Sequence, residues 1–269
     1  MVNWKQGVVV RVAGEGGEGV ISCGDMIGWA MVRAGLDIFT FRTFPAEIRG
    51  GPAMNQVRGV DGIALSQGAA PDLLVAFNSD GCQLHLKELR NGGFLIYDPE
   101  NCEDDPTRDI IRLPIPLTEI SAELKSKLSK NVIALGATGR VLGLPLPTLE
   151  AVVRERFGKK SEDVISKNVE ALHAGFERID ISSIEIPIEL AVAPINDHRI
   201  VMSGNESVVM GAIASGLNYY GGYPITPATE IMESLMIQLP KFGGTSIQTE
   251  DEISALASVI GASYAGAKA

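Results

Sequence analysis

Two short stretches of this sequence combine residue types that can do chemistry together. The first is Tyr223-Pro224-Ile225-Thr226-Pro227, in which two prolines stiffen a turn and Thr226 can present a hydroxyl. The second is Gln248-Thr249-Glu250-Asp251-Glu252, which sets three carboxylates in a row. Each stretch follows a strand-like run and precedes a helical pattern, so each reads as the end of a strand. In open α/β sheets, ligands bind outside the carboxyl ends of strands. A hydroxyl and a carboxylate placed there suit binding of a polar ligand and movement of a proton. Helix capping accounts for the same residue types at the same places, because Thr, Asp and Glu are common at helix starts.

A third candidate lies near the amino terminus. Gly14, Gly16 and Gly19 match G-x-G-x-x-G between a strand and a helix, the setting of a dinucleotide-binding loop. Such glycines permit close backbone approach, and a helix start attracts phosphate. Glu15 and Glu18 put negative charge into that nest, however, and Arg42 and Thr43 stand where the second strand should end in an acid. A tight strand-to-helix turn is the competing reading. Arg49 and Arg58 flank Gly50–Pro52 and could meet an anion such as the phosphates of coenzyme A, or pair locally with Glu47. His85 and His173 fall in helical patterns as surface residues, and His198 has only Asp197 beside it. Cys23 follows the glycine loop near a helix start, where a thiolate is favoured, although a small buried packing residue fits as well.

The elements that must position these residues alternate. Gly7–Ala13 reads as a buried strand, Val20–Ala34 as a helix, and Ile38–Phe44 as a strand. Met54–Val60 and Gly62–Ser66 resemble paired short strands, followed by Leu73–Asn78 and a helix capped by Ser79 or Asp80. Phe94–Asp98 and Asp109–Pro114 complete the strands, and helices fill Thr118–Leu128, Val132–Leu142, Thr148–Phe157 and Glu162–Ile179. This order predicts an α/β fold with a largely parallel or mixed sheet. Residues 181–201 hold Pro187, Pro194 and little periodicity, as a linker would. From residue 202, a helix capped by Asn205 or Ser207, two strands and two more helices begin a second α/β unit that reads as incomplete at residue 269.

Composition bounds the partners. The 269 residues carry a formal net charge of −10, which leaves no basic surplus to neutralise nucleic-acid phosphates. Hydrophobic residues make up 45%, enough for real cores and too many for a disordered chain. Neither a signal peptide nor a membrane helix is expected, because the longest uncharged run holds Asn218, three tyrosines and two prolines. Cys23, Cys82 and Cys102 are distant and odd in number, without a C-x-x-C, so neither a disulfide framework nor a metal cluster is expected. A cytoplasmic protein is the default.

GGYPITPATEIMESL and QTEDEISALASVIGASYAGAKA resemble the α subunit of the 2-oxoacid:ferredoxin oxidoreductases, and GEGGEGV, FPAEIRGGPAMNQVR and PDLLVAFN resemble their γ domain. The order γ then α is that of fused two-subunit members, often of 2-oxoglutarate type, with pyruvate the rival substrate. The resemblance implies a γ-type α/β domain over residues 1–180 and the start of a thiamine-pyrimidine-binding α/β domain over 202–269. It implies an enzyme that converts a 2-oxoacid and coenzyme A to acyl-CoA and carbon dioxide and reduces ferredoxin. By the same resemblance, thiamine diphosphate would sit in a site shared with a β subunit that supplies magnesium and a 4Fe-4S cluster, in an αβ unit or a dimer of such units. Thr226 then matches the residue that meets the substrate carboxylate, with Tyr223 beside it. Glu250 matches the catalytic carboxyl that bonds the aminopyrimidine of thiamine, and Ile225 and Pro227 are implied as further cofactor-binding residues; Asp251 and Glu252 are near competitors of Glu250. A nicotinamide- or flavin-binding oxidoreductase using the glycine loop, and a non-catalytic assembly subunit, are the alternatives.

Overall fold

The first eight-residue strand, β1 (Val8–Glu15), is buried at every position but its last, as a strand covered on both faces must be. The computed structural model describes residues 7–43, 50–102, 107–124, 129–180 and 200–269. Arg49, Glu47, His198 and nearly all of the expected linker fall outside these. The chain divides into two units, Met1–Asn196 and Asp197–Ala269.

In the first unit, β1 leads through the glycine loop into α1 (Val20–Arg33), then β2 (Asp37–Thr43) and β3 (Pro52–Val60). β4 (Leu73–Ala76), α2 (Ser79–His85), β5 (Phe94–Tyr97) and β6 (Ile111–Pro114) follow, and four helices close the unit: α3 (Leu117–Glu123), α4 (Lys130–Val141), α5 (Leu146–Phe157) and α6 (Glu162–Arg178). The strands form one mixed α/β sheet in the order β2-β3-β1-β4-β5-β6. β1, β4, β5 and β6 run parallel, and β3 is antiparallel to both β1 and β2. The expected pairing of Met54–Val60 with Gly62–Ser66 is corrected: β3 pairs with β1 and β2 instead. Residues 62–68 are held by β3 side chains, since Arg58 donates to the Ser66 hydroxyl (2.8 Å) and Gln56 to the Gln67 carbonyl (2.8 Å).

Side chains alternate across the sheet, so its two faces bury different partners. Val10, Val12, Val75 and Ile96 face a large core with α1 and α3 to α6; Ala13, Leu74, Ala76 and Leu95 face a smaller one with α2. α4 is the hub of the large core, with ten of its twelve residues buried. It meets α6 backbone to backbone: a Cβ on Gly136 would strike the Leu172 carbonyl, and one on Gly175 the Ile133 carbonyl.

The smaller core holds a disulfide between Cys82 of α2 and Cys102, whose Cα atoms are 5.9 Å apart. The sequence points away from a disulfide framework, and this single bond forms because α2 and the turn after β5 cover the same sheet face, which their 20-residue separation in sequence hides. Cys23 is the free, buried cysteine. Burial, with Asp25 nearby, pushes its thiol far up, so it packs rather than reacts. His85 is half-buried, and its Nδ1 lies 3.1 Å from the guanidinium of buried Arg11, which also reaches Glu88 (2.5 Å) and Gln56 (2.8 Å).

The second unit comprises α7 (Gly204–Ala214), β7 (Tyr219–Gly222), α8 (Thr229–Gln238), β8 (Thr245–Gln248) and α9 (Glu252–Tyr264). β7 and β8 form a two-stranded parallel sheet. No helix among the described residues is long and apolar enough to cross a membrane.

Candidate functional site

β7 and β8 pair in register from Tyr219 opposite Thr245 to Gly222 opposite Gln248. Because the strands are parallel, the segments that leave them, 223–228 and 249–251, emerge at the same edge. This edge is where an open α/β sheet offers a ligand site. Thr249 extends the pairing beyond the strands: its N–H donates to the Gly222 carbonyl (2.8 Å), and its hydroxyl lies 3.2 Å from that carbonyl and 3.1 Å from the Asp251 carbonyl.

The three acids divide by role. Asp251 is the N-cap of α9, with an extended backbone and Oδ1 accepting from the Ser254 N–H (2.7 Å). That bond holds the Asp251 carboxyl below its ordinary range. Glu252 lies in the first turn of α9, where a negative charge suits the helix dipole. Glu250 is exposed and makes no hydrogen bond or ion pair among the described residues. Of the other loop, Tyr223 and Pro224 are half-buried, whereas Ile225, Thr226 and Pro227 are exposed. The Thr226–Pro227 peptide bond is cis, and the Thr229 N–H donates to the Ile225 carbonyl (3.0 Å) to close the turn into α8. Thus the Thr226 hydroxyl and the Glu250 carboxylate, neither with a partner among the described residues, stand on neighbouring loops of one sheet edge.

One group at this edge was not readable as a site residue. Asn205, expected as a cap, instead lies inside α7 and reaches across to the loop: its Nδ2 donates to the Pro227 carbonyl and to Glu230, both at 3.0 Å. Ser203 caps α7, in a capping box with Glu206. The S-x-x-E spacing of that box was a visible signal; the reach of Asn205 over 22 residues was not.

The glycine loop of the first unit sits where α1 and α2 leave neighbouring parallel strands for opposite faces of the sheet. Glu18 fills it. Its Oε2 accepts from the Glu15 N–H (3.0 Å) and from Asn78 (2.8 Å), and the Gly16 N–H donates to the Gly51 carbonyl (2.9 Å). Two of the amides that would face a phosphate are therefore already bonded. Asn78, rather than Ser79 or Asp80, caps α2. Arg58 stands opposite Val9, whereas Pro52 stands opposite Glu15, so β3 separates them by about 20 Å at ~3.3 Å per residue.

The comparisons with known proteins agree on the family. Residues 9–178 match the family described as pyruvate ferredoxin/flavodoxin oxidoreductase. Residues 210–269 match its thiamine-diphosphate-binding counterpart, the pyruvate flavodoxin/ferredoxin oxidoreductase domain. The chain is 28% identical over 300 residues to the 2-oxoglutarate oxidoreductase subunit KorA of Mycobacterium tuberculosis, covering 97% of this chain and 46% of that protein. Over 69 residues it is 55% identical to the 2-oxoglutarate synthase subunit KorA of Archaeoglobus fulgidus, covering 26% of this chain and 20% of that one. A solved structure of 2-oxoglutarate:ferredoxin oxidoreductase from Magnetococcus marinus, with 2-oxoglutarate, coenzyme A and succinyl-CoA bound, is 40% identical. It superposes with a TM-score of 0.89 over 98% of this chain and 47% of its own. The chain thus spans less than half the length of these relatives. With both of its units matched and the first match alone spanning more than half of its residues, the chain belongs to the pyruvate ferredoxin/flavodoxin oxidoreductase family.

Proposed function

We propose that this chain carries the γ-type domain (residues 1–180), a linker (181–201) and the first part of the pyrimidine-binding domain (202–269) of a 2-oxoglutarate:ferredoxin oxidoreductase. The observation that carries this reading is the shared edge of β7 and β8, where Thr226 and Glu250 stand exposed, without partners among the described residues. The likeness to proteins named for 2-oxoglutarate supports the choice of substrate.

The residues fit thiamine diphosphate. Binding its aminopyrimidine calls for a carboxyl group committed to nothing else. Glu250 meets that demand, and Asp251, engaged with Ser254, does not. When bound, the cofactor supplies the electron sink for decarboxylation. Glu250 holds a proton at a carboxyl oxygen for the aminopyrimidine nitrogen. Thr226 donates its hydroxyl proton to a carboxylate oxygen of the 2-oxoacid, with Tyr223, Ile225 and Pro227 shaping the loop. Arg49 and Arg58 are candidate contacts for an anion such as a coenzyme A phosphate; Arg49 lies outside the described residues, and Arg58, bonded to Ser66, would act apart from the Gly50–Pro52 loop. A β subunit completes the enzyme, with magnesium and a 4Fe-4S cluster, in αβ units in the cytoplasm, and ferredoxin takes the electrons. The glycine loop, with Glu18 bonded inside it, favours a structural turn over a nicotinamide or flavin site.

The test is reconstitution of the full-length chain with its β subunit, followed by a 2-oxoacid panel with coenzyme A and a viologen dye. Dye reduction that needs both 2-oxoglutarate and coenzyme A is expected. A preference for pyruvate overturns the substrate assignment, and reduction by NADH in place of a 2-oxoacid overturns the reading itself.

A further inference from the structure

Asn205 spends its side chain on another element. It is the second residue of α7, a position where Asn ordinarily serves its own helix through its side-chain oxygen. That service is already rendered, because Ser203 accepts from the Glu206 N–H (3.1 Å) and Glu206 accepts from the Ser203 N–H (2.6 Å). The Asn205 carboxamide instead crosses to the loop after β7. Its Nδ2 has two hydrogens, and two acceptors lie at 3.0 Å: the Pro227 carbonyl and the Glu230 carboxylate. The first acceptor belongs to the residue next to Thr226. The second lies in the first turn of α8, the helix that the loop enters. The loop is thus gripped on the helix side of Thr226, while Thr249 bonds the Gly222 carbonyl on the strand side. Facing a carbonyl and a carboxylate, only a double donor fits, so the isosteric Asp would lose both bonds and set like charges together.

We propose that Asn205 is a positioning residue: by bonding the Pro227 carbonyl and Glu230, it fixes the turn that presents the Thr226 hydroxyl to the carboxylate of the 2-oxoacid. This rests on the reading of Thr226 above. Asn205 touches no substrate, so its effect must pass through Thr226 and fall on 2-oxoacid binding rather than on coenzyme A.

The experiment is a double-mutant cycle in the assembled enzyme, using Asn205→Asp, Thr226→Ala and both together. Asn205→Asp is expected to raise KM for 2-oxoglutarate about tenfold, the worth of a lost charge-assisted hydrogen bond. KM for coenzyme A should stay unchanged, and kcat should fall by less than about threefold. In the Thr226→Ala background, Asn205→Asp should add no further rise, because the two residues act as one unit. Asn205→Asp combined with Glu230→Gln restores one bond with donor and acceptor exchanged and should recover part of the loss. An unchanged KM in Asn205→Asp, where Thr226→Ala alone raises it, overturns the proposal and leaves the Thr226 reading standing. An effect that adds fully to Thr226→Ala also overturns it. No effect from Thr226→Ala overturns the substrate-binding reading and this proposal with it. Should Asn205→Asp fail to assemble, Asn205→Ala takes its place, with hydrogen exchange over residues 223–230 read in the assembled enzyme. Exchange equal to wild type then overturns the proposal.

Discussion

Glu250 and Thr226 make different demands on a substitution, and kinetics can tell them apart. Glu250 is read as a group that holds and yields a proton, which a carboxamide of the same shape cannot do. Glu250→Gln is therefore expected to lower kcat of the reconstituted enzyme at least about 100-fold, the usual scale of lost acid–base help, with assembly intact. Near-wild-type turnover sinks the assignment, and the same loss in Asp251→Asn instead would move it one residue on. Thr226 is read as a binding group, so Thr226→Ala should raise KM for the 2-oxoacid about tenfold and leave kcat nearly as it was; an unchanged KM refutes the contact. At this scale, the sequence nominates both residues and leaves a choice among three carboxylates. The ambiguity is reduced by the Asp251–Ser254 bond, a matter of backbone geometry that the run E-D-E does not encode. Asn205 was legible only as a helix-start residue, because its partners at Pro227 and Glu230 are brought near by packing of one element beside another.

At the scale of elements, the sites with least tolerance are where two helices touch without side chains between them. Gly136 of α4 and Gly175 of α6 each face a carbonyl of the other helix at a distance that admits no methyl group. Gly→Ala normally favours a helix, by up to about 1 kcal/mol. Here the added carbon forces the helices apart within a close-packed core, at a cost of about 1–3 kcal/mol or more. Gly136→Ala and Gly175→Ala are each expected to lower the melting temperature by several degrees, whereas Gly17→Ala, which has open space but a left-handed φ of 100°, should cost less. A stabilised Gly136→Ala protein contradicts the close approach. The cluster of Arg11, His85 and Glu88 sets a pH dependence. Burial, and then the Arg11 charge, pull the His85 pKa below its ordinary 6.5, so the unfolded chain binds the proton more readily. The stabilisation is complete above about pH 6.5 and is lost as pH falls through the lower, folded value. Melting temperature should drop on acidification across that window, and His85→Gln should flatten the drop; an equal slope in both proteins refutes it. Strand and helix order was readable from periodicity. The misplaced pairing of 62–66 and the hidden Cys82–Cys102 bond were not, since neither local pattern nor cysteine spacing says which segments share a sheet face.

For the whole chain, the two units differ in what they bury for themselves. The first has a six-stranded sheet whose central strands are covered on both faces, with a continuous core from Val8 to Ile179. The second has two strands, and its buried apolar side chains among the described residues are Val209, Met232, Leu235 and Leu239. No residue of α9 is buried: Ile253 is 82% exposed, Leu256 63% and Tyr264 91%. Small sheets with open apolar faces rarely hold their shape alone, and exposed apolar patches of this kind mark surfaces that need cover. The capping box of α7, the Asp251 cap of α9 and the Thr249 bond to Gly222 define the local geometry of the second unit without supplying burial. A fragment of residues 1–180 should therefore unfold cooperatively on heating. A fragment of residues 200–269 should bind a hydrophobic dye and show no cooperative transition in circular dichroism. The full-length protein, assembled with its β subunit, should instead protect the amides of 252–264 from hydrogen exchange. A sharp melting transition in the 200–269 fragment would mean that four buried side chains and three capped or tied segments suffice. The edge bearing Thr226 and Glu250 would then be rigid before any partner arrives.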